Sequence, residues 1–384
     1  MKRSVSKVWL NEDTPNDPYP LYAPSPLPPK RPGTIRVWVD GCFDMLHFGH
    51  ANALRQARSM GDELFVGCHT DEEIIRHKGP PSMRQEERYE ALRACKWVDA
   101  VIEGYPYVTR VEDMKRFEVD FVVHGDDISV DLNGRNSYQA IIDAGMFKAV
   151  RRTECISTTD LVGRMLLCVP SELLSDADKK LLDSEVARKR GPHYLTTSRK
   201  IAQFSNKLAP PVGATVVYVD GAFDLFHAGH IRFLQKARAL GDYLIVGIHD
   251  DQLVRESKGE HFPIMSLNER ALGVLSCRYV DDVVFGAPRG VTQEMIKILD
   301  IKIVACGTSS ETRNCKGAFD VYEVPKSLNL FKVVESGSDL STDMIVERVV
   351  KNHVVLLERQ FLKHMKDSEA ELRKPDVYRN VREV

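Results

Sequence analysis

The chain has 384 residues, 43% of them hydrophobic, and a formal net charge of −2. That is enough apolar material for two or three ordinary domain cores, and the near-zero charge argues against a broad nucleic-acid footprint. No run approaches the roughly 20 apolar residues of a membrane span, and no apolar signal core opens the chain. The eight cysteines (Cys42, Cys68, Cys95, Cys155, Cys168, Cys277, Cys306, Cys315) form no Cys-x-x-Cys pair and several lie in apolar runs. They read as reduced structural thiols of a cytoplasmic protein, with no metal cluster.

Residues 1–33 read as a disordered leader, proline-rich from about residue 11 onward. Ile35-Arg36-Val37-Trp38-Val39 is then a β-branched and aromatic run that stops at Asp40-Gly41, as a strand does at its carboxyl end. Cys42-Phe43-Asp44 and His47-Phe48-Gly49-His50 follow, and Ala53, Leu54, Ala57 and Met60 then recur at helical spacing. A strand, a glycine turn and a helix start together make an anion site, because the helix N-terminus offers free N–H groups and positive partial charge. Gly49 leaves room for close backbone approach, and His47 and His50 supply imidazole donors to phosphoryl oxygens. Further on stand Lys78-Gly79, Glu87-Arg88, Trp97-Val98-Asp99, His124-Gly125 and Arg152-Thr153-Glu154-Cys155-Ile156-Ser157-Thr158.

Most of the series then recurs. Val-Asp-Gly-Ala-Phe-Asp-Leu-Phe-His-Ala-Gly-His over residues 219–230 repeats residues 39–50 at an offset of 180, and Lys258-Gly259 keeps that offset. Glu269-Arg270, Tyr279-Val280-Asp281 and Cys306-Gly307 follow at 182. One His-x-Gly-His is weak evidence, but two in the same strand-turn-helix setting mark a duplicated domain. The expected organisation is a domain over 34–168, a charged linker over 169–213, a second domain over 214–350 and a charged helical tail over 351–384. Each domain is expected to be Rossmann-like, a parallel sheet with helices on both faces.

At these residues the chain resembles the cytidylyltransferases that load choline phosphate, ethanolamine phosphate or glycerol 3-phosphate onto CTP, over residues 36–163 and 215–350. Two tandem domains without a long amphipathic membrane helix are similar to the branch that makes CDP-ethanolamine for phosphatidylethanolamine synthesis. The resemblance implies that an oxygen of the phosphomonoester attacks the α-phosphorus of CTP and expels pyrophosphate. It implies that His47 and His50 stabilise the growing charge and that Lys78 bridges the two substrates. Arg152 and the Ile156-Ser157-Thr158 turn would hold the β and γ phosphates, with Mg2+ neutralising the triphosphate. Cys42, Phe43, Asp44, Gly49, Trp97, Asp99, His124 and Gly125 would complete the CTP contacts. Packing of the two copies about a pseudo-twofold axis, as an internal dimer, follows from single-domain relatives that are symmetric dimers. Pairing of whole chains and loose association with the endoplasmic reticulum are further expectations.

Aligning Thr158-Thr159-Asp160 with Ser341-Thr342-Asp343 sets Glu335 opposite Arg152, so the second copy is expected to lack the triphosphate cation. Ala222, Phe223, His227, Gly229, His230, Lys258, Gly307, Thr308 and the turn of Ser336, Gly337, Ser338, Asp339 and Leu340 are expected to keep nucleotide contacts with little or no turnover. Asp99, Asp126, Asp127 and Tyr105 are candidates for the substrate ammonium. The alternatives are a transferase for another alcohol phosphate and a non-catalytic CTP-binding scaffold. Arg152 and both histidine pairs argue against the scaffold.

Overall fold

Alternate residues of the first strand feed different cores, which is what a strand covered on both faces requires. Val37 and Val39 pack with Leu54, Leu64, Val66 and Leu92, whereas Trp38 packs with Phe65, Met114, Phe117 and Ile141. The same split recurs in the second copy, with Val217 and Val219 on one side and Val216 and Tyr218 on the other. This computed structural model describes residues 29–127, 129–153, 156–168, 197–206, 208–308, 320–352, 355–356, 376–378, 381 and 383. The expected leader before residue 29, most of the linker, and Glu154 and Cys155 lie outside them.

The first half holds β1 (Arg36–Gly41), α1 (Phe48–Arg58), β2 (Glu63–Cys68), α2 (Asp71–Lys78), α3 (Gln85–Ala94), β3 (Ala100–Glu103), α4 (Val111–Arg116), β4 (Phe121–Gly125), α5 (Gln139–Asp143), β5 (Phe147–Val150) and α6 (Thr158–Leu166). Its strands are all parallel, in the order β3-β2-β1-β4-β5. A linker helix, α7 (Thr197–Phe204), leads to β6 (Val216–Gly221), α8 (Ala228–Arg238), β7 (Tyr243–His249), α9 (Asp251–Lys258), α10 (Leu267–Leu275), β8 (Asp282–Ala287), α11 (Gln293–Ile298), β9 (Ile301–Gly307), α12 (Glu323–Ser327), β10 (Phe331–Val334) and α13 (Thr342–Lys351). The second sheet, β10-β9-β6-β7-β8, has the same arrangement. In each sheet the strand order reverses beside the first strand, which opens a crevice at the carboxyl ends there.

The halves meet about a pseudo-twofold axis. Lys96 N donates to Ser276 O at 2.9 Å and Arg278 N to Ala94 O at 2.8 Å, a reciprocal pair between equivalent residues. Helix α1 packs on α10, α3 on α8 and α6 on α13. One apolar cluster joins Met45, Met83, Leu161 and Met165 of the first half to Leu225, Met265, Leu272 and Ile345 of the second, with Phe204 of the linker helix inside it. The described tail residues return to the first half: Tyr378 packs on Phe147, and Glu383 accepts from Asn52 at 3.0 Å.

Candidate active site

His47 is both the N-cap of α1 and the first site residue. Its Nδ1 accepts from Gly49 N at 3.1 Å and His50 N at 3.4 Å, so its hydrogen belongs on Nε2. His50 closes the capping box by accepting from His47 N through Nδ1 at 3.4 Å, and the two rings stack with centroids 4.0 Å apart. Glycine is required at 49 for a reason beyond phosphate approach: a Cβ would come within 2.9 Å of the His47 ring and of Ile156. The second copy repeats this, with His227 Nδ1 on Gly229 N at 3.2 Å and rings 3.8 Å apart.

The turn that feeds the helix is strained and clamped. Phe43 and Met45 have φ of 50° and 48°, and Phe223 and Leu225 have 51° and 47°. Left-handed residues of this kind cost about 1–3 kcal/mol each and persist only where the surroundings over-determine them. Asp44 provides that determination: its carboxylate accepts from Ser82 N at 2.9 Å and Met83 N at 2.8 Å, and its carbonyl accepts from Thr158 Oγ1 at 3.0 Å. Asp44 therefore borders the cavity with its charge already committed to the backbone.

A cavity of about 520 Å³ opens at the crevice. Cys42, Phe43, Asp44, His47, Gly49, His50, Lys78, His124, Gly125, Arg152, Ile156, Ser157 and Thr158 line it, as expected, and Leu356 of the tail forms part of its wall. Arg152 stands half-exposed at the mouth, its N on Asp126 Oδ1 at 2.9 Å and its Nη1 on Asp127 Oδ2 at 3.2 Å. Lys78 faces the cavity 5.3 Å from the Tyr107 ring centroid. Enclosure disfavours the Lys78 charge, but Cys42, Tyr107 and Asp127 outweigh that and hold its pKa above the ordinary lysine value. Burial keeps His124 below the ordinary histidine value, hence neutral at pH 7.

Trp97 and Asp99 are not brought to this cavity. Trp97 packs edge-on against Phe204 at 4.9 Å, and Asp99 accepts from Leu64 N at 2.8 Å and Arg58 Nε at 3.2 Å, pinning the amino end of β2. Strand β2 presents its carboxyl end to the site, so a residue fixed at its amino end is at the wrong edge of the sheet. Tyr105 is fully buried with its hydroxyl on Asp113 at 3.3 Å.

Two residues of the floor were not anticipated. Asp40, only 3% exposed, accepts from Trp38 Nε1, Thr109 Oγ1 and Tyr138 Oη, and burial raises its pKa to about 7 against those bonds. Tyr107 lines the same cavity, stacked on His77 at 4.1 Å and bonded to Ser129. Repetition of Asp40 as Asp220 was the available signal, but it read as a strand end.

The second cavity is smaller, about 170 Å³, and is lined by Ala222, Phe223, His227, Gly229, His230, Lys258, Gly307, Thr308, Ser336, Ser338, Asp339 and Leu340. Gly337 lies in the same turn at φ of 71° but is not part of the lining. The register corrects the alignment of this region. Val150 pairs with Gly125, and Val334 with Gly307, spacings of 25 and 27 residues. Arg151 therefore answers Glu335 and Arg152 answers Ser336. Lys236 Nζ on Glu335 O at 2.7 Å matches Gln56 Nε2 on Arg151 O at 3.0 Å, which confirms the equivalence. The counterpart of Arg152 in the second copy is therefore the uncharged Ser336. At the Tyr107 position the second cavity carries Arg289, paired with Glu256 at 3.1 Å.

Doubly wound sheets with capped histidine pairs at the switch point define a duplicated nucleotide-binding α/β protein. The chain belongs to the cytidylyltransferase-like family, whose model matches residues 38–164 and 218–348. It is 49% identical over 343 residues to the ethanolamine-phosphate cytidylyltransferase of Dictyostelium discoideum, covering 87% of this chain and 95% of that protein. The enzyme of that name from Mus musculus is 45% identical over 364 residues, covering 87% and 90%. The choline-phosphate cytidylyltransferase A of Mus musculus is 41% identical over 142 residues, covering 36% of this chain and 38% of that protein.

Proposed function

We infer that this chain transfers the cytidylyl group of CTP to ethanolamine phosphate, giving CDP-ethanolamine and pyrophosphate, and that the first cavity performs the reaction. The observation that carries the assignment of the cavity is its combination of a phosphate-binding set (His47, His50, Lys78, Arg152) with a buried carboxylate and an aromatic face (Asp40, Tyr107). The first set suits a triphosphate and a phosphomonoester, and the second suits an ammonium.

A phosphomonoester, with a second pKa of about 6, is largely dianionic at neutral pH, so no base is needed to make the nucleophile. The work left to the protein is positioning and stabilisation of charge on the α-phosphoryl and leaving oxygens. His47 offers Nε2–H from the start of α1, where the helix adds positive potential. His50 is assigned the second donor role, Lys78 the contact shared by the two substrates, and Arg152 the leaving pyrophosphate. Arg152 is suited to that last role because its Asp127 partner sits at the solvent-exposed mouth.

The second cavity differs where the chemistry is most demanding. Ser336 replaces Arg152, Arg289 replaces Tyr107 and would repel an ammonium, and the volume is a third as large. It is read as a nucleotide-retaining half without turnover. Among the described residues no three His, Cys, Asp or Glu side chains converge on an ion site. Magnesium is proposed to arrive on CTP, held by phosphate oxygens and water. None of the described helices is long and apolar enough to cross a membrane. A cytoplasmic location, loose association with the endoplasmic reticulum and pairing of chains belong to the same proposal, the first supported by free thiols at Cys42, Cys68, Cys95, Cys168 and Cys277.

The test is pyrophosphate release with CTP or ATP against ethanolamine phosphate, choline phosphate and glycerol 3-phosphate in parallel. Preference for CTP with ethanolamine phosphate is expected. Equal or better use of another alcohol phosphate would overturn the substrate assignment.

A further inference from the structure

Arg348 belongs to α13 of the second half, yet its Nη1 donates to both carboxylate oxygens of Glu87 in the first, at 3.0 and 2.8 Å. Glu87 in turn closes the capping box of α3 by accepting from Arg84 N at 2.9 Å. Immediately before that cap, Ser82 N and Met83 N hold the carboxylate of Asp44. Asp44 sits between the two left-handed residues of the turn that delivers His47. Arg88, next to Glu87 and fully buried, donates to Cys42 O at 2.6 Å and His69 O at 2.8 Å, bracing the same turn from behind. A continuous set of short contacts thus runs from a side chain of the second half to the backbone beneath the first phosphate site.

The arrangement is mirrored. Arg164 of α6 donates to Glu269 at 2.8 and 3.0 Å, Ser266 N caps onto Glu269 at 2.8 Å, and Ile264 N and Met265 N hold Asp224. Thr158 and Thr342, at the starts of the helices that carry Arg164 and Arg348, donate to the carbonyls of Asp44 and Asp224 at 3.0 and 2.9 Å. The links therefore close into a ring that passes through both turns. Each half's last helix holds its own turn at one end and the partner half's α3 or α10 cap at the other.

We propose that Arg348 is a positioning residue for the reaction in the first cavity, supplied by the second half and acting through Glu87 on the Asp44 turn. The inference rests on the reading that the first cavity is the catalytic one. A strained turn relaxes when one of the contacts that determine it is lost, and its relaxation would move His47 and the neighbouring backbone amides away from the nucleotide. The second half is then needed by the chemistry for this contact, independently of turnover in its own cavity.

The experiment is steady-state kinetics of the full chain carrying Arg348→Gln, Glu87→Gln, both together, and Arg348→Lys, each first checked by thermal unfolding. Glu87→Gln keeps a capping side chain and removes the charge. Arg348→Lys keeps a cation, and because a single nitrogen makes both contacts a lysine can replace it. Arg348→Gln is expected to lower kcat/KM for CTP about ten-fold, with the CTP KM raised as well as kcat lowered. The double variant should be no worse than the worse single variant, and Arg348→Lys should recover most of the loss. A folded Arg348→Gln with an unchanged CTP KM overturns the proposal, since loss of active fraction alone lowers kcat without moving KM, and so do additive effects in the double variant. If Arg348→Gln does not fold, the CTP KM of Glu87→Gln decides in the same way. His50→Ala in parallel separates the two readings: activity surviving there removes the first-cavity assignment and the proposal together, whereas an inactive His50→Ala beside a normal Arg348→Gln removes the proposal alone.

Discussion

Cys95 and Cys277 face each other in an antiparallel bridge across the two halves, and they are the same position of the two copies, 182 residues apart. Backbone hydrogen bonds flank the bridge on both sides, so the pseudo-twofold contact is made by main chain as well as by side chains. One apolar cluster has members from each half. Neither half owns that cluster, and separating them would expose Met45, Leu161, Leu272 and Ile345 to water together.

One cooperative unfolding transition is therefore expected for the chain, with calorimetric and van't Hoff enthalpies in agreement. Leu272→Ala, at a fully buried position of the shared cluster, should cost about 2–5 kcal/mol and lower the single transition without splitting it. Two resolved transitions in calorimetry, one of them unmoved by the substitution, would show that the halves fold independently.

Much of this is legible in the sequence. Continuous β-branched and aromatic strand runs, a period-3.6 helix and a glycine turn between them locate the crevice, and duplication at a nearly constant offset multiplies the evidence. Repetition nevertheless cannot tell a site residue from a structural one. Asp99 and Asp281 recur because each pins the amino end of a strand, through Leu64 N and Leu244 N. The alignment slipped by one residue because the second copy has two extra residues between β9 and β10, a length change that register reveals and motif matching does not. Tyr107 was hidden for the opposite reason: its counterpart is Arg289, so the repeat carried no mark of it.

Arg152→Ala is expected to raise the KM for CTP and lower turnover about 10²-fold, with little change in the KM for ethanolamine phosphate, because the guanidinium is assigned to the leaving side. The corrected register adds that the counterpart of Arg152 is Ser336 and not Glu335. Initial-rate matrices in both substrates check this, and a shift confined to ethanolamine phosphate would contradict the assignment.

Asp40 makes a prediction about pH. Burial raises its pKa to about 7, partly offset by Thr109, Trp38 and Tyr138, from an ordinary value of 3.8. Between those values the folded chain holds a proton that the unfolded chain has released, so stability falls as pH rises through about 4 to 7. Asp220 is raised to about 7 by the same cause, so Asp40→Asn should remove part of that slope in denaturation at stepped pH. Substrate binding has the opposite dependence, since an ammonium needs the ionised carboxylate. The KM for ethanolamine phosphate should rise as pH falls through about 7. In Asp40→Asn it should be about ten- to a hundred-fold higher at pH 8, with the CTP KM nearly unchanged. An unaltered KM for ethanolamine phosphate in the folded variant would remove Asp40 from substrate recognition.

The sharpest comparison sets the two histidine pairs against each other. Both are capped alike and stacked alike, so a difference between them isolates the surroundings. In the second half burial lowers the pKa of His227 to about 3, with Lys258 and Arg348 adding to it, and holds His230 well below the ordinary value, which keeps both neutral. Ser336 and Arg289 replace the cation and the aromatic face that the reaction is assigned to need. His47→Ala with His50→Ala should abolish turnover, by about 10² or more, in a protein whose unfolding transition is little changed. His227→Ala with His230→Ala should keep a substantial fraction of activity, reduced only through the contacts that tie the second half to the first. Assays at saturating CTP, paired with thermal unfolding, separate lost chemistry from lost structure. Equal loss in both double variants would mean that the second cavity also turns over or is strictly required, and loss confined to the second would reverse the assignment of the catalytic half.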